Sequence, residues 1–89
     1  MLRAALERLP IARRLADADV FVHWDAVVGP IVARHARPRR MRQHVLVVAV
    51  DGAEWMQELQ FLKHDVCERL NARLGREAVR DIFLVLDGS

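Results

Sequence analysis

Apolar residues return at helical spacing between Ala53 and Leu74. At about 100° per residue, Trp55, Leu59, Leu62, Val66 and Leu70 fall on one stripe, with Met56, Cys67 and Leu74 beside it. Glu54, Gln57, Glu58, His64, Asp65 and Glu68 occupy the other side, so the pattern predicts one amphipathic helix with a single buried face. Asp51 is the expected N-cap, with Glu54 three residues later completing a capping-box-like pattern, and Gly75 stands where a left-handed C-cap ends a helix. VLVVAV before this helix and VRDIFLVL after it are rich in β-branched residues and read as strands over Val45–Val50 and about Val79–Leu86. A helix between two strands is therefore the unit that sets the fold.

Upstream, Leu2, Ala5, Leu6 and Leu9 have helical spacing, and Pro10 ends that turn or begins the next. Ile11, Ala12, Leu15 and Ala16 continue the apolar face to about Ala18, with Arg3, Arg8, Arg13 and Arg14 mostly off it, which predicts a solvated helical surface. From Val20 to His35 a second helix is expected: Val20, Trp24, Val27, Ile31 and His35 share a stripe flanked by Phe21, Val28 and Val32. Asp17 or Asp19 is its expected cap. Pro30 lacks the N–H that would bond back to Ala26, yet the apolar phase continues past Gly29-Pro30, which predicts a kink within one helix. Ala36-Arg37-Pro38 should end it, because the residue before a proline avoids helical backbone. Arg39–Arg42 then reads as a short strand and Gln43-His44 as a turn, although the turn lacks the glycine that tight hairpins favour. Both faces of Val45–Val50 are apolar, so this strand should be central or covered on both sides, with the last strand beside it. The expectation is a single α+β domain over residues 1–89, in the order α-α-β-β-α-β, with helices packed on a three-stranded sheet.

A chain of 89 residues suffices for one modest core. Its 53% hydrophobic content excludes a disordered protein, and no apolar run approaches the roughly 20 residues of a membrane span. Charges interrupt MLRAALERLPIARR throughout, unlike a secretory leader, so a cytoplasmic protein without membrane contact is expected. The net charge is only +2, but five arginines fall between Arg34 and Arg42 with no acidic residue among them.

Three residue sets are candidates for chemistry. His23, His35, His44 and His64 are scattered, and His64 with Cys67 supplies only two ligands at i, i+3 where a zinc site needs four. Cys67 flanks the buried stripe and is expected to be a core residue, and His35 a half-buried, satisfied histidine. Phosphate loops, nucleophile elbows and paired carboxylates are missing from the sequence, so neither an enzyme nor a cofactor or metal is expected. Arg34, Arg37, Arg39, Arg40 and Arg42, with Arg13 and Arg14 joining, are the candidate nucleic-acid-binding residues, because guanidinium groups bond phosphates bidentately. The chain has no tyrosine and no aromatic interleaves with these arginines, so contact to phosphates with weak sequence preference is expected. The competing reading is an edge strand whose charges protect against aggregation. Phe61 points away from the buried stripe, which makes it either covered by the N-terminal helix or an exposed anchor for a partner protein.

The ordered set Trp24, Val28-Gly29, Ala33-Arg34-His35, Pro38, LVVAV, Ala53-Glu54-Trp55, Glu58-Leu59, Leu62-Lys63, Leu70-Asn71, Leu74-Gly75 and a final apolar strand resembles the DciA family over about Trp24 to Leu86. The resemblance implies a KH-like domain that binds DNA and contacts the bacterial replicative DNA helicase as its loader or operator, without hydrolysing nucleotide. No GxxG stands between the helices, so KH-like describes topology here and not the backbone clamp of true KH domains. Many members carry a further basic extension and some relatives a zinc ribbon. The sequence runs to Ser89 with neither, so its contacts are expected to rest on the folded domain or to be weaker. The expected partners are single- or double-stranded DNA and the helicase, at the nucleoid, with homo-oligomer formation open. The alternatives are an RNA-binding or ribosome-associated module using the same basic edge, and a protein-interaction domain that dimerises through strand edges.

Overall fold

In the computed structural model, the backbone is described for residues 10–87 and the side chains for residues 18–87. Helix α1 spans Pro10–His35, strand β1 Ala36–Arg42, strand β2 Val45–Val50, helix α2 Ala53–Leu74 and strand β3 Asp81–Leu86. The expected helical turn from Leu2 to Leu9 lies outside the described residues. The break expected near Ala18–Val20 does not occur, because nothing in Ala16–Val20 is a glycine or proline that would stop a helix. Asp17 and Asp19 are therefore interior residues and not caps. The kink falls where it was expected: Gly29 has φ 87° and ψ 163°, a backbone conformation that L side chains rarely adopt, and Pro30 restarts the helix behind it.

The α1 stripe reaches the core through Val20 and Trp24, but the non-helical Gly29 breaks its phase and leaves Ile31 exposed, against expectation; the Trp24 indole N–H donates to the Ala36 carbonyl at 2.9 Å. That bond ties the middle of α1 to the residue where it turns into β1. The transition comes earlier than expected, so β1 begins at Ala36 instead of Arg39.

The sheet order is β1-β2-β3, with β1 antiparallel and β3 parallel to β2. Gln43 and His44 form the two-residue turn of the β1–β2 hairpin with φ of 49° and 69°. Both central residues are thus left-handed, as the right-handed twist of a tight hairpin demands even without glycine. His44 is also held from the far side, since the Arg80 N–H donates to its carbonyl at 2.7 Å. The parallel β2–β3 pair is joined by α2 as a βαβ crossover. β2 is the central strand, as its two apolar faces predicted.

One core lies between the sheet and both helices. Ala36, Leu46, Val48, Val50, Ile82 and Leu84 meet Trp24 and Val20 of α1 and Leu59, Val66, Cys67 and Leu70 of α2. Trp55, Met56 and Leu74 pack at its edge, while Leu62 is exposed. The expected Asp51 cap is a misassignment. Gly52 occupies the N-cap of α2 without a side-chain bond, and the Asp51 carboxylate instead meets His35 Nδ1 at 3.0 Å. The His35 ring stacks on Trp55 with centroids 4.5 Å apart, so a hydrogen-bonded and stacked histidine joins the end of α1 to the start of α2. Gly75 is the left-handed C-cap expected of it, with its N–H on the Asn71 carbonyl. The Asn71 side chain clamps the following loop by accepting from the Ala78 and Val79 N–H groups and donating to the Val79 carbonyl. This clamp launches β3 in register.

Candidate nucleic-acid interface

Side chains along a strand alternate faces, so a regular β1 would place Arg37 and Arg39 on one face and Arg40 and Arg42 on the other. The structure resolves this conflict with a β-bulge. Pairing runs Ala36↔Val50, Arg37↔Ala49 and Pro38↔Val48, then resumes at Arg40↔Val47, Met41↔Leu46 and Arg42↔Val45, with Arg39 the extra residue. A bulge resets the alternation and re-aims the side chains beyond it. Ala36, Pro38 and Met41 consequently turn toward the core, and all four arginines are exposed.

The pairings build a grid on the face of the sheet away from the helices. Across the strands, its rows are Arg37–Ala49–Val85, Arg40–Val47–Phe83 and Arg42–Val45–Asp81. Among the described residues no helix packs on this face. Val47 and Ala49 are nevertheless only 7% and 6% exposed, screened by the side chains of the strands beside them, whereas Phe83 is 59% exposed. A shallow groove of about 340 Å³ runs along the face between Arg39 and Arg40 on one side and Val85 and Leu86 on the other. Arg34, at the end of α1, joins Arg37 and Arg39 around a smaller recess of about 160 Å³.

Charge on this face is uneven. Arg39 is ion-paired with Asp87, and Asp81 with Lys63 at 3.5 Å. Arg37, Arg40 and Arg42 make no ion pair among the described residues. Asp81 and Asp87 are thus each ion-paired, while the guanidinium groups of Arg37, Arg40 and Arg42 stay available to an anion. The structure brings Arg34, Arg37, Arg39, Arg40 and Arg42 to one side of the molecule; the side chains of Arg13 and Arg14 lie outside the described residues.

No aromatic interleaves with these arginines along the sequence, but the fold sets Phe83 on the same face of the sheet through the β2–β3 pairing. Its signal was present in the alternation of DIFLVL, which sets Phe83 and Val85 opposite Ile82 and Leu84. What the alternation alone does not reveal is that the Phe83 face is also the arginine face, since that follows from the bulge and the parallel register together.

The remaining candidates fall elsewhere. Phe61 is 79% exposed on α2, and the N-terminal residues expected to cover it are outside the described ones. His64 is solvent-facing and pairs with Glu68 at 3.1 Å, whereas Cys67 is buried, so the two do not converge. Burial, with a smaller contribution from the Asp81 carboxylate and opposed by Lys63, pushes the Cys67 thiol up to about 11. Such a thiol is inert at neutral pH. His23 accepts from Arg73 Nε at 2.9 Å and His44 faces the Ala78 carbonyl at 3.3 Å. Among the described residues no three His, Cys, Asp or Glu side chains gather as metal ligands, and no helix is long and apolar enough to cross a membrane.

Residues 1–84 match the sequence profile of a family described as Dna(CI) antecedent, DciA. A UPF0232 protein of Mycobacterium tuberculosis is 32% identical over 69 residues, covering 78% of this chain and 37% of the relative. The UPF0232 protein of Mycolicibacterium smegmatis is 29% identical over 72 residues, 81% of this chain and 37% of the relative. That of Rhodococcus jostii is 25% identical over 69 residues, 78% and 37% respectively. The matched part of the chain thus spans little more than a third of the length of these relatives.

Proposed function

Because the chain belongs to the DciA family, we propose that it is a non-enzymatic accessory protein that binds DNA and loads or operates the bacterial replicative DNA helicase. The observation that carries the DNA-binding part is the bulge at Arg39, which gathers Arg37, Arg39, Arg40 and Arg42 on one exposed face. A row of guanidinium groups on an open sheet face is suited to a phosphate backbone, which several cations must follow at once. Arg34 extends the row at one end, and Arg13 and Arg14, whose side chains lie outside the described residues, complete the proposed DNA-binding set. Helicase contact is assigned to a separate surface, with Phe61 as its anchor, because an exposed aromatic on a helix face away from the sheet can be covered without displacing DNA.

The test is binding of labelled single-stranded DNA, duplex DNA and RNA of equal length over a salt series, with the Arg37/Arg39/Arg40/Arg42→Ala variant alongside. With about four phosphates engaged, log affinity falls against log salt with a slope of roughly −3 to −4, and the variant gives a shallower slope and weaker binding to every sequence. A preference for RNA would move the protein to the ribosome-associated reading. Equal, negligible binding by both proteins would remove the arginine face from the site and leave a protein-interaction domain. Helicase capture by the wild type and by Phe61→Ala then tests the second surface.

A further inference from the structure

We propose that the open face of the sheet is a platform for unpaired DNA, on which Phe83 stacks against a base while Arg40 and its neighbours hold the backbone. The inference rests on the DNA-binding reading above and adds to it which form of DNA is recognised and by which residue. Phe83 lies in the middle of β3, 59% exposed and paired across to Val47, whose other neighbour is Arg40. With strands about 4.8 Å apart, the Cα atoms of Arg40 and Phe83 are separated by roughly 10 Å across an apolar floor. A strand lying along the sheet therefore meets cations on one flank and an aromatic face on the other.

Three features of the face fit this occupant. Its floor, Val47 and Ala49, is apolar and already nearly dry, so covering it with a base desolvates no polar side chain there. The acidic groups at its margins are ion-paired, Asp81 with Lys63 and Asp87 with Arg39, which lessens their repulsion of a polyanion in the groove between Arg40 and Val85. Phe83 has no hydrogen-bonding group, so it offers any base a stacking surface without reading its edge. Duplex DNA has its base faces occupied by one another and can use only the arginines. The ring therefore discriminates between unpaired and paired strands and not between sequences.

The test measures affinity of the full chain for three probes: a labelled oligothymidylate, an abasic strand of equal length and charge, and a duplex. The proteins are wild type, Phe83→Leu and Phe83→Trp, with folding checked by circular dichroism. Leucine retains apolar cover over Val47 but removes the aromatic face. Wild type should bind oligothymidylate more tightly than the abasic strand. Phe83→Leu should lose about 5- to 100-fold on oligothymidylate, the loss of one stacked base, while matching wild type on the abasic strand and the duplex. Phe83→Trp should restore the difference. If Phe83→Leu binds oligothymidylate as wild type does, or weakens equally on all three probes, stacking is overturned while the arginine-based reading stands. If wild type binds none of the probes at any salt concentration, the DNA-binding reading itself fails and takes the stacking proposal with it.

Discussion

The two faces of the sheet are made from the same nineteen strand residues, yet they are built to different ends. On the helix side, Leu46, Val48 and Val50 of the central strand are fully buried under Trp24, Leu59 and Leu70, and their neighbours Ala36, Ile82 and Leu84 are apolar as well. On the open side, Val47 and Ala49 are almost as well buried, but their cover is the side chains of β1 and β3, among them the arginines and Phe83. An inner-face residue is thus hidden by another layer of structure, and an open-face residue by groups that can move aside for a ligand. Low exposure in the free protein is consistent with either state. The distinction lies in what does the covering.

The largest effects should come from the inner face and leave recognition untouched. Trp24 fills the junction of α1 with β1, so Trp24→Ala removes its buried indole and the bond to the Ala36 carbonyl. The expected cost is about 3–5 kcal/mol, a large share of the stability of a small domain. Chemical denaturation followed by circular dichroism would show the loss, while DNA affinity per folded molecule stays at the wild-type value. A loss of affinity without loss of stability would break the division between the faces.

A sharper comparison uses adjacent residues of one strand. Val48→Thr and Val47→Thr place the same hydroxyl on opposite faces of β2 with almost no change of shape. At Val48 the hydroxyl is enclosed by helix side chains and should cost about 1–3 kcal/mol. At Val47 it needs only a shift of a neighbouring side chain to reach water, and the expected cost is below about 0.5 kcal/mol. Denaturation midpoints of the two variants decide the matter: equal costs would mean that the open face is as sealed as the inner one.

How much of this was legible beforehand follows from the range over which each feature is determined. The α2 stripe apart from Leu62, the Gly75 cap, the place of the kink at Gly29-Pro30 and the central position of β2 all depend on residues within a few positions of one another, and these expectations hold, whereas the apolar phase expected to continue across the kink fails at the exposed Ile31. The β1 bulge does not show in ARPRRMR, because it is fixed by which partner residues on β2 need an apolar neighbour, here Leu46 under Met41. Asp51 has the local credentials of a cap, but His35, sixteen residues earlier, is the partner it takes. Phe83 reaches the arginines only through two strand registers. Short-range chemistry therefore specified the elements, and the site arose from how they were laid side by side.

The smallest effect at neutral pH is expected at Cys67, and it reports on how tightly the inner layer is closed. Its thiol is pushed up to about 11 from an ordinary 9.0, chiefly by burial, so the folded protein retains this proton at a pH where the unfolded chain has lost it. Below the unfolded value both states are protonated and the residue contributes no pH dependence. As pH rises from about 9 to 11 the unfolded state binds fewer protons than the folded one, and stability falls across that window, by on the order of 1–2 kcal/mol. Comparing wild type with Cys67→Ala isolates this slope, because the alanine protein lacks the titrating group while the arginine face is unaltered. An identical decline in both proteins would show that the thiol is already wet in the native state. The layer between α2 and the sheet would then open to water as readily as the face that carries the arginines.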